Sequence, residues 1–140
     1  MRSAKVRAKS GCMVLLIVAS LLLAGCRKDA EINAALNEID AFTTEIDGRI
    51  KAARNPSEGV DDAQQYLDSR KREIKSKAAF LAGVRGIQVS DVTERRLIDT
   101  IRRNQMTIVR LQSMPIAATD AAFKTKLDKL VNDYLSLFQD

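Results

Sequence analysis

Residues 29–54 read DAEINAALNEIDAFTTEIDGRIKAAR, and their apolar side chains recur in alternating steps of four and three residues. The positions of this stripe are Ile32, Leu36, Ile39, Ile46, Ile50 and Ala53, with Thr43 at the vacant step. A repeat of about 3.5 residues is typical of a helix that buries one stripe against other helices. Asn55-Pro56 ends the pattern, because the residue before a proline is driven out of the helical conformation. This stretch therefore predicts a long amphipathic helix.

Three more helical stretches follow it. Asn55 and Pro56 suit the N-cap and first position of a second helix that reaches about residue 84. Its predicted stripe comprises Val60, Ala63, Leu67, Ile74, Ala78 and Leu81. Ser90 suits the N-cap of a third helix over 91–113. The predicted face of that helix comprises Leu97, Ile98, Ile101, Ile108 and Leu111, with Met106 and Val109 beside it.

A fourth helix is predicted after Pro115, with its cap at or near Thr119. Its apolar positions are Phe123, Leu127, Leu130, Tyr134 and Leu137. No segment alternates apolar and polar residues with the period of two that strands require. Four helices of roughly 20 to 27 residues with short connections predict an all-α fold, an antiparallel bundle in which helices 1 and 2 form one hairpin and helices 3 and 4 another.

The N-terminal region has a different composition. Residues 1–10 contain four basic residues and no acid, and residues 12–24 are apolar except for Ser20. This order is typical of an export signal. The run is shorter than the ~20 apolar residues with which a helix crosses a bilayer. An ordinary signal peptide and an uncleaved anchor are alternatives to the more specific interpretation that follows.

The segment Leu23-Ala24-Gly25-Cys26 resembles the lipobox of bacterial lipoproteins at all four positions. The resemblance covers about the first 26 residues and implies cleavage between Gly25 and Cys26, with a diacylglycerol thioether on Cys26. It divides the chain into a removed signal peptide (1–25), an acylated anchor with a very short linker (26–28) and a helical bundle domain (29–140). Since Arg27 stands where an inner-membrane retention signal often has Asp, the resemblance favours the outer membrane, with the domain facing the periplasm.

Charge and composition exclude several classes of function. The whole chain has a net charge of +5, but residues 1–25 carry four of its 23 basic residues, which leaves 19 against 18 acidic ones. A nearly neutral domain does not attract nucleic acid through its overall field. Cys12 leaves with the signal and Cys26 takes the lipid, so no thiol remains for catalysis or metal binding. The chain has no His, and no catalytic motif is present. We therefore expect no enzyme activity, no metal and no cofactor.

The candidate contact residues are cations of the third helix that recur at intervals of seven: Arg95, Arg96, Arg102, Arg103 and Arg110. The second helix adds Arg70, Lys71, Arg72, Lys75 and Lys77. One interpretation is that these groups contact phosphates or an acidic partner. The other is that they pair with the acids of the first helix, where Glu31, Glu38 and Glu45 recur at the same interval beside Asp40 and Asp47.

The resulting expectation is a lipid-anchored envelope protein, held in the membrane through Cys26, whose bundle is an interaction or assembly module for another envelope protein. One alternative is a binder of anionic lipid or glycolipid through the Arg and Lys faces of helices 2 and 3. Another is a structural coiled-coil oligomer. The sequence leaves the oligomeric state open.

Overall fold

A computed structural model describes the backbone of residues 10–84 and 89–139 and the side chains of residues 28–84 and 89–139. Within these ranges the chain forms four α-helices and a short 3-10 helix, and no strand. The elements are α1 (Ser10–Ala52), α2 (Pro56–Gly83), α3 (Asp91–Gln112), the 3-10 helix Pro115–Ala118, and α4 (Ala121–Leu135). The predicted all-α helical bundle is confirmed.

The starts of α2, α3 and α4 follow from side-chain caps. The side chain of Asn55 accepts a hydrogen bond of 2.9 Å from the backbone N–H of Ser57, and Pro56 is the first residue of α2. Ser90 accepts from the N–H of Thr93 at the start of α3. The cap of α4 is Asp120, one residue after the predicted Thr119, because the 3-10 helix occupies the residues directly before it.

Two helices differ in length from the prediction. α1 begins at Ser10, so the predicted boundary between signal peptide and bundle falls inside one continuous helix. The surroundings of Gly25, the side chain of Cys26 and the whole of Gly86 lie outside the described residues. α4 has 15 residues, fewer than predicted, and it ends at Leu135, before the last predicted apolar position, Leu137.

The first two helices form an antiparallel hairpin, which confirms that part of the prediction. Near its turn, Arg49 lies 2.9 Å from Asp62. Further from the turn, Lys77 lies 3.1 Å from Glu38. The buried stripes of both helices meet between these ion pairs, in a core that also includes the ring of Phe42 stacked on the ring of Tyr66.

The remaining two helices lie parallel to their nearest neighbours. α3 follows α1 at a constant offset, since the contacts of Asn33 with Arg96 and of Asp40 with Arg103 both join residues 63 apart. α4 follows α2 in the same way, with contacts between residues 69 apart that include Gln64 with Asp133. The order around the bundle is therefore α3, α1, α2, α4. The predicted hairpin of α3 and α4 is present as a contact between the two helices, but α4 packs more extensively on α2 than on α3.

The predicted core face of α3 is only partly correct. Ile108 and Leu111 are buried, but Ile98 and Ile101 remain 49% and 48% exposed. Thr93 and Thr100 are buried in their place. The reason is that α3 presents polar residues to α1: Thr93 accepts a hydrogen bond from Asn33, and Thr100 donates one to Asp40. Met106 and Val109 are also mainly exposed.

Candidate functional site

An apolar groove lies between the C-terminal end of α2 and the central part of α3. Leu36 and Ile39 of α1, both buried, form its floor. Tyr134 and Phe138 close one end. The walls are Ala78, Leu81 and Ala82 from α2, and Leu97, Thr100, Ile101, Asn104, Gln105 and Ile108 from α3.

The groove has a volume of about 330 Å³, within the size range of ligand pockets. None of its lining side chains is charged at neutral pH. Burial raises the pKa of Tyr134 to about 12. The surface is therefore suited to holding an apolar group, and Asn104 and Gln105 provide polar contacts at its edge.

The groove exists because α4 is shorter than the helices beside it. In the constant register of α4 along α2, Leu135 lies level with Tyr66. α2 continues from there to Gly83, a distance of roughly 25 Å at 1.5 Å per residue. Along that distance α2 and α3 both pack on α1, and no fourth helix of the described residues lies between them. The half-exposure of Ile101, which lines the groove, follows from this vacant position.

Three of the five predicted contact arginines point to α1 and form a polar ladder with it. We define the polar ladder as Asn33, Asp40 and Asp47 of α1 together with Arg96, Arg103 and Arg110 of α3. Each rung joins residues 63 apart in sequence: Arg96 donates to Asn33 at 2.9 Å, Arg103 to Asp40 at 2.6 Å, and Arg110 lies 2.7 Å from Asp47. Arg96 also donates to Asn37.

The polar ladder supports the pairing interpretation for these three arginines. Of the predicted acids, Asp40 and Asp47 are partners, whereas Glu38 pairs with Lys77 of α2 and Glu45 with Arg49 on its own helix. Because α3 lies on the flank of α1 that carries Asn33, Asp40 and Asp47, those residues receive the guanidinium groups instead.

The other two predicted arginines face away from α1. Arg102 is 71% exposed at its side chain and lies 3.5 Å from Asp99 on the same helix. Arg95 is exposed and makes no hydrogen bond or ion pair with the residues that the structure describes. These two side chains are not brought together with the polar ladder, and they remain accessible for contacts outside the chain.

The basic residues of α2 divide in a similar way. Arg70 donates to Glu73 at 2.8 Å, which lowers the pKa of that carboxyl, and Lys77 is paired with Glu38. The exposed cations Lys71, Arg72 and Lys75 make no hydrogen bond or ion pair within the described ranges. Lys71 precedes Ala78 by seven residues and Lys75 precedes Ala82 by seven, so both lie on the face of α2 that borders the groove.

The sequence pattern does not predict the groove, because it assigns the groove residue Ile101 to the core. One signal in the sequence does point to it. At 100° per residue, Leu97 and Met106 lie on opposite sides of the helix, so the apolar residues of α3 cannot all face one seam. When apolar residues cover more of the helix circumference than a core-facing stripe requires, some apolar surface of that helix stays uncovered.

The predicted lipidation at Cys26 falls outside these contacts. Gly25 and Cys26 belong to the part of α1 whose side chains are outside the described residues. Among the described residues, no helix is both long enough and apolar enough to cross a membrane. Nor do the residues in these ranges include a cluster of three or more acidic, His or Cys side chains that could hold a metal ion.

Comparison of the chain with protein-family models, curated proteins and solved structures finds no match.

Proposed function

We propose that this chain is a lipid-anchored protein of the bacterial envelope whose helical bundle binds another envelope protein through the groove between α2 and α3. The observation that carries the proposal is the groove itself: an uncharged apolar floor and walls at a vacant helix position. Uncovered apolar surface of this kind marks interaction sites in soluble domains. The lipobox-like segment that ends at Cys26 supports the anchor.

The distance between the anchor and the bundle is short. Lys28 and Asp29 already belong to α1, and Asp29 contacts the backbone N–H of Ser90 at the start of α3. The end of the bundle at which α2 finishes and α3 begins is therefore the end nearest Cys26. In the proposed arrangement, the open end of the groove lies close to the lipid headgroups, within reach of a partner at the membrane surface.

Two kinds of variant test the proposal in native membranes. A photocrosslinking amino acid at Ile101 places the probe in the groove, and one at the exposed Ala41 places it on the side of α1 that faces away. We expect a discrete protein adduct from position 101, none from position 41, and loss of the adduct when Cys26→Ser releases the chain from the membrane fraction. Equal adducts from both positions, or a Cys26→Ser protein that stays in the membrane and keeps its adduct, would contradict the proposal.

The anionic-lipid alternative rests on only part of the cationic faces of α2 and α3. Arg96, Arg103 and Arg110 form the polar ladder, so a lipid-binding face would depend on Lys71, Arg72 and Lys75 with Arg95 and Arg102. Binding to anionic vesicles that is lost when these five residues become Gln, with no adduct from position 101, would favour this alternative.

A further inference from the structure

The groove continues the surface on which α4 packs. α4 lies along α2 and contacts α1 through Tyr134, whose ring is centred 6.0 Å from that of Phe42. Its buried residues Phe123, Leu127, Leu130 and Tyr134 recur in steps of four and three. Phe138, just beyond the end of α4, forms the end wall of the groove. The next stretch of the same surface therefore has the neighbours of a helix position: one helix beneath and one on each side.

The dimensions suit a short helix. The part of α2 beyond the level of α4 extends for roughly 25 Å, which matches about 16 residues of α-helix. A helix laid in such a groove inserts residues at i, i+3, i+4 and i+7. The half-exposed Ile101, together with Leu81 and Ala82, would contact those residues.

The rim of the groove carries excess positive charge. On the α2 side are two exposed cations: Lys71, whose charge acts on the Asp133 carboxylate of α4, and Lys75, which makes no hydrogen bond or ion pair with the described residues. On the α3 side is Arg102, one residue after Ile101. The acids around this rim include Asp99, which lies 3.5 Å from Arg102 on α3, and Asp133 of α4, which is already bound by Lys129 and Gln64. Since Asp99 offsets only one of the three cations, the rim keeps a net positive charge.

This charge distribution discriminates between occupants. In a symmetric pair of chains joined through this face, the three rim cations of one copy would oppose those of the other, and such like-charge contacts are unfavourable. A helix with acidic residues on both sides of its apolar stripe would instead pair with Lys71 and Lys75 on one flank and with Arg102 on the other. Charged residues that flank an apolar seam are a common determinant of helix pairing.

We infer that the partner segment is an amphipathic helix of about 16 residues with acidic flanks, which fills the vacant position beside α4. This inference rests on the proposed function, since it names the chemistry of the partner for the same groove. The helix completes a four-helix cross-section along the part of the bundle that α4 does not reach.

The test uses the full chain in nanodiscs of zwitterionic phosphatidylcholine and two synthetic helical peptides of about 16 residues. Both peptides carry the same leucine stripe; one has Glu on its flanks and the other has Lys. We expect the Glu peptide to bind about tenfold more tightly than the Lys peptide in low salt, with the difference shrinking as salt screens the charges. The double variant Lys75→Glu, Arg102→Glu should reverse the preference.

Ile101→Asp is the matched control for the groove. Since Ile101 is 48% exposed, this variant is expected to keep its helical circular dichroism while losing binding of the Glu peptide. Equal binding of both peptides, no binding of either, or a preference that survives the double charge reversal would overturn the inference. A dimer of the chain abolished by Ile101→Asp, or an oleate probe that requires Ile101, would assign the groove to a second copy or to an acyl chain and would overturn it as well.

The two proposals fail in different ways. If position 101 gives a protein adduct in membranes but the peptides show no preference for Glu, the interaction module stands and the acidic partner is wrong. If the Glu peptide binds as expected but no adduct forms in membranes, the groove has the inferred specificity and the proposed envelope role is wrong.

Discussion

The phenolic oxygen of Tyr134 lies 2.7 Å from the hydroxyl oxygen of Thr43, a buried contact that joins α4 to α1 across 91 residues of sequence. Thr43 also donates its hydroxyl proton to the carbonyl of Ile39, at 2.9 Å. Because a threonine hydroxyl has one proton, Tyr134 is the donor in the contact with Thr43. The two residues therefore have unequal roles, which leads to the first prediction.

Thr43→Val should destabilise the protein more than Tyr134→Phe. The valine removes the acceptor and leaves the Tyr134 hydroxyl buried without a partner, at a cost of about 1–3 kcal/mol. The phenylalanine removes the donor but leaves Thr43 bonded to Ile39, so its cost is nearer 1 kcal/mol. Urea unfolding of the two variants and of the double variant measures the difference. A larger loss for Tyr134→Phe would show that the donor assignment is wrong.

Alkaline pH should destabilise the protein through the same tyrosine. Burial raises the pKa of Tyr134 to about 12 in the folded chain, against about 10 for an unfolded tyrosine. The group therefore contributes its full stabilisation below pH 10 and loses it as the pH rises from 10 to 12. At pH 11 this loss amounts to about 1 kcal/mol relative to pH 9. Tyr134→Phe lacks the titrating group, so its unfolding free energy should fall by that much less between the two pH values; an identical fall in both proteins would contradict the assignment.

Exchange of the charges within one rung of the polar ladder should restore what a single reversal removes. Arg103→Asp or Asp40→Arg alone places like charges together at a half-exposed position, and we expect a loss of about 0.5–1 kcal/mol each. The double variant re-forms the pair with reversed polarity and should recover most of that loss. Arg102→Gln, on the outward side of α3, is the control and should change stability little. Denaturant unfolding of the four variants checks this, and additive losses in the double variant would argue against the pairing.

Gly59 and Gly48 should respond in opposite directions to alanine. A Cβ at Gly59 would lie 2.8 Å from the Cβ of Ala53 and 3.0 Å from the carbonyl oxygen of Ile50, where the backbones of α1 and α2 approach closely. Gly59→Ala should therefore cost about 1–3 kcal/mol through overpacking. Nothing lies within 4 Å of a Cβ at Gly48, so Gly48→Ala should raise stability by up to about 1 kcal/mol. Thermal unfolding followed by circular dichroism distinguishes the two.

The sequence predicts those features that depend on interactions between residues close together in the chain. Asn55 with Pro56, and Ser90, mark helix starts through hydrogen bonds to residues two or three positions away, and the structure places both caps as predicted. The stripes of α1 and α2 were predicted for a related reason: each helix is long, and the two pack on each other through one continuous seam.

The face of α3 depends on neighbours that periodicity cannot identify. Ile98 and Ile101 have the spacing of core residues, but burial requires a fourth helix long enough to cover them, and α4 ends before it reaches them. The spacing of the polar ladder could be predicted from the arginine stripe of α3. Its arginines recur every seven residues, and the offset of 63 residues to their partners on α1 is a multiple of seven. The choice of Asp40 over Glu38 depends on which flank of α1 receives α3, and that is a tertiary property.

The parallel pairing of α3 with α1 and of α4 with α2 also determines the order in which the chain can fold. The α1–α2 hairpin closes through a connection of only three residues, whereas the other pairings must bring together residues 63 and 69 apart. Closing long loops costs conformational entropy before any contact repays it. We therefore expect the hairpin to form the folding nucleus and α3 to dock late. A helix that docks late and makes few contacts separates from the rest of the fold at low free energy. Because α3 forms one side of the groove, we expect the groove to widen readily enough to admit a helix.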